Sequence, residues 1–122
     1  MKLMCFDQFE FESWEAEEFF VVASELKTVR GSEVKDLVSF FNRTGTYKQF
    51  EFWQLGPLNV SDRSNMSELG NHQSIIKYCR DLCGIVIQYE QEICIYHNDW
   101  NLQDLLWEDE LCFYRVLWCT AS

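Results

Sequence analysis

The sequence predicts a single-domain α+β fold over residues 1–122: a two-layer sandwich with a mostly antiparallel sheet and three to four helices. Three observations lead there. The chain has 122 residues, 48% of them hydrophobic, with ten Phe, five Tyr and five Trp, which suits one domain with a substantial core. Stretches of helical and of alternating periodicity interleave along it. Two of the helical stretches run consecutively and the later strands can pair as neighbours, which favours an antiparallel arrangement over a doubly wound parallel sheet.

The elements follow in order. Residues 2–11 end in the alternation Phe9-Glu10-Phe11-Glu12, a strand pattern. Ser13 can cap a helix over about 14–29. There Glu15, Glu17 and Glu18 open the first turns, and Trp14, Val21, Val22 and Leu26 recur at helical spacing,. Gly31 stops it. Ser32 caps a second helix over 33–43, whose Val34, Leu37, Val38 and Phe41 make the clearest helical stripe in the chain,. Thr46 to Leu55, with Tyr47, Phe50, Phe52 and Leu55, reads as an aromatic strand. Residues 56–72 are loop-like, with a short helical turn near Ser61–Leu69, because structureless loops above about 15 residues are uncommon. Asn71 caps a third helix over 73–83 that ends at Gly84. Ile85–Tyr89 and Ile93–Tyr96 are β-rich, either as one long strand or as a hairpin. Asn101 to Asp109 carries Leu102, Leu105 and Leu106 at helical spacing and predicts a short helix. Leu111 to Cys119 is a final strand, apolar except for Arg115.

Charge narrows the function classes. Ten bases face twenty acids, for a net charge of −10. That argues against direct binding of nucleic acid or of an anionic membrane, and favours a basic protein or nucleoprotein as partner. Seven acids lie in residues 1–25 and seven in residues 83–122, so fourteen of the twenty sit in the two terminal segments. Domain termini often lie close together, so these acids can form one acidic face; the plainer reading is ordinary solvated faces on an acidic protein. No run of about 18 apolar residues exists to span a membrane. The opening residues turn acidic at Asp7 and lack the apolar core of a secretion signal, so a cytoplasmic location is expected. The six Cys then read as reduced, buried thiols.

Motifs for chemistry are sparse. The chain has no phosphate-binding glycine loop, no nucleophile elbow and no HExxH,. Cys79 and Cys83 share a helix face, but nothing else has zinc-site spacing, and neither metal nor cofactor is expected. The cluster His97-Asn98-Asp99 is the one place where a small enzyme can be imagined, with His97 working beside Asp99 or a Cys. The segment 99–110 is more suggestive: Asp99, Trp100, Asp104, Trp107, Glu108, Asp109 and Glu110 interleave tryptophan with carboxylates. Trp is enriched at interface hot spots, and carboxylates steer basic partners. Together with Glu15, Glu17 and Glu18, these form the expected partner-binding set. The expectation is a non-enzymatic inhibitor of a basic partner, as a toxin-immunity protein or a nucleic-acid mimic acting on a defence complex. The alternatives are an adaptor subunit held by exposed aromatic surface, or the His97 enzyme.

Overall fold

Among the residues that the computed structural model describes (9–13, 18–27, 34–46, 50, 54 and 56–120), six strands make one antiparallel sheet. They are β1 (Phe9–Ser13), β2 (Glu18–Leu26), β3 (Arg63–Asn65), β4 (Glu92–Asp99), β5 (Leu102–Glu108) and β6 (Cys112–Thr120). Their spatial order is β1-β2-β6-β5-β4-β3. β4, β5 and β6 form a meander, and β2 pairs with β6 over nine residues, from Glu18↔Thr120 to Leu26↔Cys112.

Two α-helices accompany the sheet among the described residues: α1 (Leu37–Thr44) and α2 (His72–Cys83). The expectation of three to four helices is therefore corrected, and so is the two-layer sandwich. α1 covers one face of the sheet, where Leu37, Phe40 and Phe41 pack with Phe50 and Leu58 on Val21, Ala23, Leu106, Phe113 and Leu117. α2 covers the other, where Ile75 and Cys79 pack on Phe20, Val22, Leu105, Trp107, Val116 and Trp118. The central strands are thus buried on both faces.

That double burial explains the two largest departures from the sequence reading. The predicted helix 14–29 is, where described, the strand β2, and the predicted helix 101–109 is β5. Phe20 to Leu26 and Gln103 to Trp107 are buried without interruption. A helix on the surface of a small domain keeps a polar side, whereas a strand covered twice does not. In runs this apolar, residues at i, i+3 and i+4 match a helical stripe by chance.

Other expectations are met more closely. The predicted helix 33–43 begins later, at Leu37, because Asp36 caps it. Asp36 Oδ1 accepts from Ser39 N at 2.8 Å, and Ser39 Oγ accepts from Asp36 N at 3.0 Å, closing a reciprocal capping box. Ser32, the expected cap, lies outside the described residues. The predicted helix 73–83 is α2, closed by Gly84 at φ 69°, a left-handed position that glycine takes without strain,. The turn expected near Ser61–Leu69 is a 3-10 turn at Met66–Glu68, preceded by the short β3. Met66 N and Ser67 N donate to Gln91 O and Tyr89 O, both at 2.9 Å. Ile85–Tyr89 is not a strand. Ile85 N donates to Cys79 O at 2.9 Å, and Ile85 and Ile87 insert into the core beside α2. The chain turns at Gln88–Gln91 before β4 begins. The aromatic strand expected over Thr46–Leu55 and residues 2–8 of the first strand fall largely outside the described residues.

Candidate interaction surface

In place of the helix predicted over Asn101 to Asp109, the segment 99–110 is a turn, a strand and a second turn, and its acids go to three different places. Asp99 and Trp100 stand exposed at the β4–β5 turn, with Trp100 at 71% exposure. Asp104 and Trp107 are interior, at 0% and 3%. Glu108, Asp109 and Glu110 lie at the opposite end of β5, roughly 25 Å from Trp100 at about 3.4 Å per residue. Glu18 opens β2, and its backbone pairs with Ser13 and Thr120. Thr120 N donates to Asn101 O at 3.0 Å, so Glu18 occupies the same end of the sheet as Trp100. Glu15 and Glu17 lie outside the described residues.

The far turn is largely committed to the fold. Glu108 Oε1 takes an ion pair from Lys27 Nζ at 2.7 Å. Asp109 Oδ1 accepts from Leu111 N and Cys112 N, both at 2.8 Å, and its Oδ2 accepts from Tyr114 Oη at 2.9 Å. Asp109 therefore shapes the turn, and Glu110 and Leu111 form its exposed tip.

Asp104 does something else again. Its two oxygens accept from Arg115 Nε at 3.0 Å and Nη2 at 2.7 Å, and neither side chain has any exposed surface. Arg115 Nη1 donates to Thr44 Oγ1 and Gln54 Oε1, each at 2.9 Å. The guanidinium lies 4.6 Å from the Phe41 ring centroid and 4.4 Å from that of Phe50. Burial pushes the Asp104 carboxyl up, and the Arg115 charge and hydrogen bonds pull against that. Arginine keeps its proton at all ordinary pH, so the carboxylate is what balances its charge. The pair locks α1 and residue 54 onto the sheet and presents nothing to solvent.

At the Trp100 end the structure brings in residues that the sequence did not single out. Asn71, expected as the cap of α2, makes no capping bond; its Nδ2 donates to Trp100 O at 3.2 Å. His72 Nδ1 donates to Leu69 O at 2.6 Å, and its ring meets that of Tyr89 edge-on at 5.7 Å. Tyr89 is 52% exposed. Two exposed aromatics, Trp100 and Tyr89, thus border the start of α2, with Asp99 and Glu90 exposed next to them in the chain and Glu68 exposed just ahead of α2. The backbone of the Trp100 turn is tied down while its indole faces water, the arrangement of a preorganised anchor. No sequence signal marked Asn71 or Tyr89 for this role, since both read as ordinary cap and strand residues.

Comparison with protein-family models, with curated proteins and with solved structures finds no match.

The groups considered for chemistry are placed as follows. Burial pushes the thiols of Cys79, Cys83, Cys94, Cys112 and Cys119 upward, that of Cys83 to about 11, so thiolate is scarce near neutral pH. His97 meets the Tyr96 ring at 4.9 Å, and its partner across the sheet is Asp104, whose oxygens Arg115 holds. Among the described residues, no group of three His, Cys, Asp or Glu side chains can hold a metal ion. No helix among them is long and apolar enough to cross a membrane.

Proposed function

We propose that this chain is a non-enzymatic acidic binding protein that neutralises a basic partner, as an immunity protein covering a cationic toxin site or as a nucleic-acid mimic occupying a phosphate-binding groove. The observation that carries it is Trp100: 71% exposed, backbone-anchored by Asn71, beside Asp99, on a chain of net charge −10. An indole buries a large area at small entropic cost, and surrounding carboxylates raise the association rate with a cationic surface. The anchor supplies shape and the acids supply steering. Asp104 and Trp107, being interior, act through the fold alone.

The test uses the full chain as bait against a lysate, with Trp100→Ala and Asp99→Lys variants as controls and a salt gradient for elution. A basic protein or nucleoprotein held by the wild type, released at moderate salt and at least tenfold weaker on both variants is the expected result. A partner that resists high salt and binds both variants equally refutes the proposal and favours an adaptor held by apolar surface elsewhere.

A further inference from the structure

Gln103 on β5 and Trp118 on β6 are partners in the sheet register. Directly opposed residues send their side chains out of the same face, here the one that α2 covers, with Cβ atoms about 5 Å apart. Both are enclosed, at 1% and 3% exposure. Gln103 Nε2 donates to Asn98 Oδ1 at 2.8 Å, which decides which end of the amide is left over. That end is Oε1, an acceptor, and no group among the described residues donates to it. The indole Nε1–H of Trp118 is a donor, and no group among the described residues accepts from it. Native interiors seldom leave such groups bare. Here one of each sense sits on neighbouring strands, unpaired with one another.

One small molecule answers both, provided that it donates to the first and accepts from the second. A hydroxyl does so, and water is the hydroxyl always at hand. We infer that a single internal water molecule bridges Gln103 Oε1 and Trp118 Nε1. It donates one proton to the amide oxygen and accepts the indole proton. The bridge completes a chain of hydrogen bonds from Trp118 through Gln103 to Asn98, two residues before Trp100. It ties the middle of the meander to the strand that leads into the exposed turn. The inference stands whether or not Trp100 meets a partner.

The experiment is water-to-protein NMR transfer on the isotope-labelled full chain, read at the Trp118 indole proton, which a Trp118→Phe variant assigns by its loss. The expected result is a cross-peak of the sign that a long-lived water gives, at an indole proton that exchanges slowly. In Gln103→Met, which keeps the volume and removes the acceptor, that cross-peak falls at least severalfold while the backbone spectrum of β6 is kept. An indole proton without a water cross-peak in the wild type overturns the inference, whether through a direct bond to a rotated Gln103 amide or through a bare donor. If Gln103→Met does not fold, the wild-type cross-peak alone decides.

Discussion

Replacing Asp104 by Asn should destabilise the protein more than any single surface change. The substitution keeps the shape and removes the charge. Arg115 then remains buried with Thr44, Gln54 and two aromatic rings, and loses its counter-charge and one of the two acceptors now at 3.0 and 2.7 Å. The new amide keeps one oxygen but turns its NH2 donors toward a side chain that has only donors to offer. Removing one partner of a fully buried pair costs about 3–5 kcal/mol. A domain of this kind has about 5–15 kcal/mol in total, so a fifth or more of the stability is at stake. Urea unfolding followed by far-ultraviolet circular dichroism measures it. The paired variant Asp104→Leu with Arg115→Met should lose less than Asp104→Asn alone, because it leaves no charge in the interior. A loss below about 1 kcal/mol for Asp104→Asn, the level of ordinary substitutions, would refute the reasoning: Arg115 would then be sustained by Thr44, Gln54 and the rings.

Two further outcomes can be checked with the same unfolding measurement. Asp109→Ala should cost about 1–2 kcal/mol, since the carboxylate closes the β5–β6 turn through two backbone N–H groups and Tyr114,; Glu110→Lys at the exposed tip should stay within about 0.5 kcal/mol. Equal effects would mean that the turn does not depend on its carboxylate. Burial lifts the Glu25 carboxyl above 4.5, with the Arg43 charge at 2.9 Å pulling it back. The folded chain then holds that proton more readily than the unfolded one, so this group favours folding most below pH 4.5 and less as pH rises through its folded value. Glu25→Gln should remove that decline, and parallel stability curves for the two proteins between pH 4 and 7 would count against it.

How much of this was legible in the sequence depended on what covers each element. α1 and α2 keep one face in water, and their stripes predicted them. β6, covered on both faces, is legible because its run is apolar except for Arg115. β2 and β5 are covered twice as well, yet each carries polar residues that suggested an outer face: Ser24 and Glu25 in one, Gln103 and Asp104 in the other, all buried. The acids were the deceptive part. Asp104 looked like solvent-facing charge in a helix, while its partner was the one base in residues 83–122, Arg115. A lone Asp and a lone Arg in consecutive apolar runs, eleven residues apart, were the signal that could have paired them. Asn71 could not have been found so, because its contact with the Trp100 backbone depends on where α2 crosses the sheet.

Charge counting survives this revision better than charge placement does. Among the described residues, five acids are tied to bases in ion pairs: Glu25, Asp81, Glu92, Asp104 and Glu108, with Arg43, Arg80, Arg63, Arg115 and Lys27. Each pair removes one charge of each sign, so the surplus of ten negative charges is untouched by where the pairs lie. A field of that sign speeds the approach of a cationic partner and fades with salt, but it does not select among cationic partners. Selection needs shape. Trp100 supplies shape because its backbone is held by Asn71 while its ring is free to be covered. If Trp100 meets a cationic partner as proposed, salt should govern how fast that partner arrives, and Trp100 how long it stays.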